Sequence, residues 1–331
     1  MVMELDSIIW IITGRCNLNC PYCYAYRYRF EEEIGRETVF RIIDEAYSVG
    51  VEYINFTGGE PFLREDLPDI LKYALKLGIE TSVFSNLTLM DDVKAEIIKK
   101  YDSYILTSMD GPKEIYELVK GRGMWSRFIR GLEILREKDV DVHINIPVSR
   151  LNYKYVDKTI RLAVDLGVDS LSLIPVMNSG RALETKTFIE REEFLYALEK
   201  ADQVARELGI GIAVWCTPFL QYIGKYKNLY SSNCRYWKVI DLTPSGKILL
   251  CDVTGIIIGD VVKDGLRKSL EKLENNPWYK KIWETPSECK NCIFSNICRG
   301  GCYARAYMKY HKIPAPDPLC PLAIYNKVLD G

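Results

Sequence analysis

The stretch "TGRCNLNCPYCYAYR", residues 13–27, sets Cys16, Cys20 and Cys23 within eight residues and brings no histidine near them. His143 and His311 are the only histidines in the chain, so zinc sites of the mixed cysteine and histidine kind are nearly excluded by count. Iron held by thiolates suits an inventory of eleven cysteines better. A 4Fe-4S cube has four irons, and three thiolates leave one of them open. An open corner is what a catalytic metal site keeps and a structural one closes. The other readings of the loop are half a zinc site completed by a distant cysteine, or three unrelated thiols.

The loop follows a β-branched run, "IIWIIT" (8–13), and similar runs recur at "VEYINFT" (51–57), "TSVFS" (81–85), "SYILTSM" (103–109), "VHINIPV" (142–148) and "SLSLIPV" (170–176). Between them apolar residues return at three-to-four spacing. These are Val39, Ile42, Ile43 and Ala46 in the first helix, Ile70, Leu71, Ala74 and Leu75 in the second, and Ile129, Leu132 and Leu135 in the fourth. Strand then helix, six times over, predicts a parallel sheet with helices outside it, because each crossover returns on the same hand. The fold class is therefore α/β, a partial (βα)6 TIM-like barrel over residues 1–215, open where two more units would close it. A seventh run, "IGIAVW" (210–215), ends the series. Residues 216–331 hold eight of the eleven cysteines and a hairpin signal, "VIDLTPSGKILLCD", with its Pro-Ser-Gly turn. They are expected to form a second, cysteine-rich domain organised around metal.

Lysine plus arginine number 44 against 45 for aspartate plus glutamate, and a net charge of −1 exerts no long-range pull on nucleic acid or a membrane surface. Neither is expected as a partner. No apolar run approaches a membrane span, and no signal peptide is recognisable. The chain reads as cytoplasmic, in a reducing compartment where its cysteines are not a disulfide framework.

At the end of the second run, "FTGGEP" (56–61) places Gly58 and Gly59 where a backbone can approach a ligand closely, and Glu60 where a carboxylate can accept from an ammonium group. With this segment beside it, Cys16-x3-Cys20-x2-Cys23, with the aromatic Tyr22 just before the third cysteine, resembles the signature of radical S-adenosylmethionine (SAM) enzymes. In that family the amino and carboxylate groups of SAM fill the open iron, so the resemblance makes the cosubstrate the missing fourth partner. It also implies that the Gly58-Gly59-Glu60 segment binds the methionine amino group and that Ser108, in "TSMDGP", contacts the methionine carboxylate. Ser85 and Asn86, in "FSNLT", are weaker matches at the same edge of the sheet, where ligands of parallel sheets collect. A basic partner is expected from Arg122, in "KGRGMW", or Arg150, in "PVSRLN". Leu173 offers an apolar surface for adenine, or is an ordinary core leucine.

Further along, Cys234, Cys251, then Cys289-x2-Cys292-x5-Cys298-x3-Cys302 and Cys320, with Gly246 ahead of Cys251, resemble the SPASM extension that ends many radical SAM enzymes. That extension binds two auxiliary 4Fe-4S clusters. Position by position, Cys234, Cys251 and Cys302 would hold the nearer cluster and Cys289, Cys292, Cys298 and Cys320 the farther one. Cys216 is left over, either a fourth ligand of the nearer cluster or a buried thiol. Asp252 follows Cys251 directly; in some relatives acting on peptide side chains an aspartate here takes a substrate proton, and the competing role is that of a turn residue. A pair of structural zinc ribbons is the rival reading of the whole group.

The resemblance implies that an electron reaching the first cluster cleaves SAM to methionine and a 5′-deoxyadenosyl radical, which removes hydrogen from an unactivated carbon. A peptide or protein side chain is the expected substrate. Tetrapyrrole decarboxylation or side-chain cleavage is the alternative, since "PVMNSGRALE" (175–184) resembles a segment shared with haem-forming members. A third reading, an electron-transfer protein without radical chemistry, is opposed by the intact Glu60 segment. A ferredoxin- or flavodoxin-like reductant is implied as a partner. Because the chain starts almost at its first strand, leader recognition is expected to need a separate leader-binding protein.

Overall fold

Residues 5–323 are described by the computed structural model, and their β-branched runs assemble into one sheet. The strands are β1 (Ser7–Thr13), β2 (Tyr53–Gly58), β3 (Glu80–Phe84), β4 (Ser103–Ser108), β5 (Val142–Val148), β6 (Ser170–Pro175), β7 (Ile212–Val214), β8 (Leu229–Tyr230), β9 (Val239–Leu242), β10 (Lys247–Leu249) and β11 (Ile257–Asp260). Their order is β11-β10-β9-β1-β2-β3-β4-β5-β6-β7-β8. From β9 through β8 every neighbouring pair is parallel, and only the β9-β10-β11 edge is antiparallel. The six expected runs are β1 to β6 and the seventh is β7. Among the described residues the two edge strands do not pair, so the barrel stays open.

Alternation along each strand separates two environments. Ile8, Trp10 and Ile12 of β1, Ile54 and Phe56 of β2, and Ile144 and Ile146 of β5 belong to the main apolar core under the helices. The opposite face is polar and satisfies itself across strands: Asn55 Nδ2 donates to Ser82 Oγ at 2.7 Å and Asn145 Nδ2 to Ser172 Oγ at 2.8 Å. Helix Arg36–Ser48 buries the four expected residues, Val39, Ile42, Ile43 and Ala46, and each of the larger three contributes roughly 1.5–3 kcal/mol by leaving water. In helix Leu67–Lys76 the inward stripe is Leu67, Ile70, Leu71 and Ala74. Leu75, expected on that stripe, is 40% exposed instead, because Leu67 takes the fourth inward place one turn before Ile70 and Leu71.

The hairpin signal after residue 216 is β9 and β10, and it extends the sheet that the first part of the chain begins. β9 lies parallel on the free edge of β1, from Ser7↔Val239 to Trp10↔Leu242. β8 adds to the opposite edge through Ile212↔Leu229. Residues beyond 215 thus contribute strands at both ends of the sheet, and Asp252, next to Cys251, is carried against Tyr28, just after the cysteine loop.

Candidate active site

The loop after β1 is held open by backbone contacts that exclude side chains. Gly59 N donates to Thr13 O at 2.8 Å and Glu60 N to Arg15 O at 2.7 Å. A Cβ on Gly59 would stand 2.0 Å from Arg15 O, so the close approach requires glycine. On its other side the loop is clamped by part of the "PVMNSGRALE" segment and by Thr185, which follows it. Arg181 N donates to Cys23 O at 3.1 Å, Arg181 Nη1 to Cys20 O at 3.3 Å and Thr185 Oγ1 to Pro21 O at 2.8 Å. Gly180, at φ +54°, brings its Cα so near that a Cβ would meet Cys23 O at 2.5 Å. The segment is a buttress for the cysteine loop, which is a reason for it to occur whatever the substrate.

Cys16, Cys20 and Cys23 converge in this loop, and all eleven cysteines are free. Burial pushes each of the three thiols up, Cys23 to about 12, and neighbouring thiols add to the rise at Cys16 and Cys23. Lys120 opposes the rise at all three. Three half-buried thiols free of disulfide bonds are a donor set that fits a soft cation, which would displace their protons.

Glu60 is fully buried and accepts from Ser85 Oγ at 2.9 Å, Asn86 N at 2.8 Å and Phe62 N at 3.2 Å. Burial outweighs these donors and raises its pKa to about 7. Asn86 Nδ2 also donates to Asn17 Oδ1 at 2.9 Å, tying the end of β3 to the loop. The carboxylate therefore lies in a dry, preformed cradle next to the three thiols, suited to a cationic ligand group.

Across the site, Ser108 at the end of β4 accepts from Lys120 Nζ at 2.8 Å, and Lys120 also donates to Tyr22 OH at 3.1 Å. Tyr22 OH in turn donates to Asp110 Oδ1. Lys120 and Asp110 are 7% and 0% exposed, their charges stand 3.5 Å apart, and Asp110 Oδ2 has no hydrogen-bond donor. Burial lowers the Lys120 pKa, but Asp110 and Cys20 raise it further, leaving it well above its ordinary value. The basic group brought to Ser108 is thus Lys120. Arg122 is exposed, and Arg150 is committed to Glu190 at 3.1 Å and Glu193 at 3.2 Å. Leu173 packs in the helix-side core, while its neighbour Ser172 bonds Asn145 on the other face. Lys120 had a readable signal: it shares the buried stripe of helix Lys113–Lys120 with Tyr116 and Val119, where a lysine is out of place unless something requires it.

The remaining eight cysteines fall into two groups. Cys216, Cys234, Cys251 and Cys302 are close enough to raise one another's pKa, after burial itself, so Cys216 is brought in with the other three. The chain between Cys216 and Cys234 is taken up by helix Leu220–Ile223 and β8, which return it to the site. Cys289, Cys292, Cys298 and Cys320 line one cavity together with Asp317 and Gly300. Asp252 lies between the loops. Its carboxylate receives the Tyr24 phenol and its carbonyl accepts from Tyr28 OH at 2.9 Å, while its N–H donates to Asp241 Oδ2 at 2.8 Å. Burial raises both carboxyl groups, and Asp252 raises Asp241 further.

Comparison with known proteins gives a consistent outcome. The profile of the Radical SAM superfamily matches residues 10–178. The PqqA peptide cyclase of Granulibacter bethesdensis is 26% identical, over 96% of this chain and 88% of that protein. The Fe-coproporphyrin III synthase of Methanosarcina barkeri is 25% identical, over 95% of this chain and 87% of that one. The solved structure of anSMEcpe with bound AdoMet and Cp18Cys peptide superposes with a TM-score of 0.77 at 20% identity, covering 96% of this chain and 94% of its own.

Proposed function

This chain belongs to the radical SAM superfamily and is an enzyme with the SPASM-type fold, and from that premise we propose that it oxidises or crosslinks a peptide or protein side chain, with Asp252 as the proton acceptor. The observation that carries the proposal is the position of Asp252, between the Cys16–Cys23 loop and Cys251, with Tyr24 on its carboxylate. Oxidation or crosslinking of a side chain removes a hydrogen atom, an electron and a proton from the substrate. Propionate decarboxylation releases carbon dioxide and needs no base. A carboxyl group with a raised pKa at this junction fits the first reaction.

Cys16, Cys20 and Cys23 would hold the 4Fe-4S cluster of the family. Cys216, Cys234, Cys251 and Cys302 would hold a nearer auxiliary cluster and Cys289, Cys292, Cys298 and Cys320 a farther one, both with four thiolates. When bound, these groups supply the electron that cleaves SAM to methionine and the 5′-deoxyadenosyl radical, and the sinks for the electron left on the product. Glu60, Ser85 and Asn86 would receive the methionine ammonium. Lys120, supported by Tyr22 and Asp110, would join Ser108 at the carboxylate as the basic partner. A one-electron donor of the ferredoxin or flavodoxin kind is the fitting reductant, and free thiols fit a cytoplasmic protein.

Incubation of reduced, cluster-loaded protein with side-chain-deuterated peptides tests the substrate class. Deuterium in 5′-deoxyadenosine from a peptide supports the reading; transfer only from a propionate-bearing porphyrin supports the second reading, which similarity to an Fe-coproporphyrin III synthase favours.

A further inference from the structure

Between the two groups of four cysteines lies a buried ion pair that the chemistry above does not use. Arg305, in helix Tyr303–Tyr310, is 2% exposed and Asp317 is 0% exposed. Arg305 Nε donates to Asp317 Oδ1 at 2.8 Å and Nη2 to Asp317 Oδ2 at 2.6 Å, a two-bonded pairing of fixed geometry. The two charges are unevenly shared between the cysteines: Cys302 feels Arg305 more than Asp317, although Asp317 Oδ2 accepts from Cys302 N, whereas Cys289, Cys298 and Cys320 feel Asp317. On the arginine side, Nη2 donates to Cys216 O at 2.7 Å and the Arg305 N–H donates to Cys302 Sγ at 3.4 Å. On the aspartate side, Asp317 lines the cavity of Cys289, Cys292, Cys298 and Cys320, and its carbonyl accepts from Cys320 N at 3.1 Å. Resting on the assignment of two auxiliary clusters, we infer that the Arg305–Asp317 pair sets their relative reduction potentials, making the nearer site the easier to reduce.

Stability alone gives no strong reason for the pair. Two charges taken out of water in a folded core cost about what they return, and an apolar pair of similar volume does as well. Arg305 in addition leaves Nη1 buried without a partner, which is a cost in the cluster-free chain. A reduced cluster is more negative than an oxidised one. A fixed cation weighted toward one site therefore favours reduction there, and a fixed carboxylate weighted toward the other opposes it. Arg235, a second buried cation, acts on Cys234 and on Cys298 alike and so does not by itself separate the two groups. It is 6% exposed, over the Tyr303 ring at 5.0 Å, and donates to Ile282 O at 2.6 Å. The arrangement makes the nearer site the first acceptor for an electron leaving substrate. Arg305 and Asp317 are positioning residues in this scheme, since neither touches substrate or SAM.

Potentiometric titration followed by electron paramagnetic resonance tests the inference on anaerobically loaded full-length protein. The two auxiliary signals are assigned with Cys292→Ser, which perturbs only the farther site. Arg305→Met combined with Asp317→Asn removes both charges while leaving an acceptor for Cys302 N, which Asp317 Oδ2 now holds at 2.9 Å. In this double variant the electron at half-reduction should redistribute toward the farther site by a factor of ten or more, about 59 mV for a one-electron couple. Arg305→Lys, which keeps the charge, should hold the distribution within about threefold of wild type, a result that a purely structural role does not produce. Equal spacing of the two potentials in wild type and double variant overturns the inference while leaving the clusters standing. Wild-type protein with iron and sulfide for one cluster only overturns both.

Discussion

Lys120 Nζ donates to Ser108 Oγ at 2.8 Å from a side chain that is almost wholly buried. A buried lysine beside a half-satisfied Asp110 is a strained economy unless an anionic ligand group arrives to share its charge. Lys120→Met should therefore weaken SAM binding by about tenfold or more, in line with the roughly 1.5–3 kcal/mol of a charge-assisted hydrogen bond. Arg122→Ala and Arg150→Ala should each change it by less than about threefold. Equilibrium dialysis with labelled SAM checks all three, and an unaffected Lys120→Met protein would remove the lysine from the site.

The raised pKa of Glu60, about 7 against an ordinary 4.5, gives a pH dependence with a definite sign. Between those values the folded, ligand-free chain keeps a proton that the unfolded chain has lost. This contribution to stability is fully present below pH 4.5 and is lost as pH rises through 7, about 3 kcal/mol in all. Glu60→Gln mimics the protonated form. In urea titrations of cluster-free protein it should be more stable than wild type at pH 8, by about 1–3 kcal/mol, and indistinguishable near pH 4.5. It should also lose SAM binding, since the amide cannot pair with an ammonium group.

If Asp252 takes the substrate proton, Asp252→Asn uncouples radical formation from product. SAM cleavage to 5′-deoxyadenosine should persist, while modified peptide falls by about 10²–10⁴-fold, the usual worth of a placed general base. Mass spectrometry of peptide and nucleoside from one reaction reads both. Equal loss of the two would point to damage at Cys251 rather than a lost base.

Cys216 supplies a separate test of the nearer group. As a fourth thiolate, its replacement in Cys216→Ala should leave iron and sulfide in the two other sites and abolish or alter one auxiliary resonance. A spectrum identical to wild type would return Cys216 to the role of a buried thiol.

Much of this was legible in the sequence, because the informative residues are local. β1 to β7 announce themselves as short β-branched runs, and Gly59 and Glu60 follow their strand directly. What the sequence hid is long-range. β9 gives no sign that its partner will be β1, some two hundred residues earlier, since parallel pairing leaves no turn to read. Cys216 stands far from Cys234 in the chain, and only the return through helix Leu220–Ile223 and β8 brings them together. The motifs point to Arg122 or Arg150 as the basic residue; Lys120, two positions before Arg122, declares itself only through the buried stripe it shares with Tyr116 and Val119, which depends on where the helix ends. Leu173 illustrates the converse, since period-two alternation fixes its face only after its register with Ile146 is known.

One resonance measurement bears most directly on the three-thiol site. Adding SAM labelled with ¹⁷O or ¹⁵N in its methionine moiety to the reduced protein should shift one cluster signal and show electron–nuclear coupling to the label. Cys20→Ala should lose that signal and keep the auxiliary ones. A spectrum unmoved by SAM, or a Cys16–Cys23 loop filled by zinc, would contradict an iron site held open for the cosubstrate.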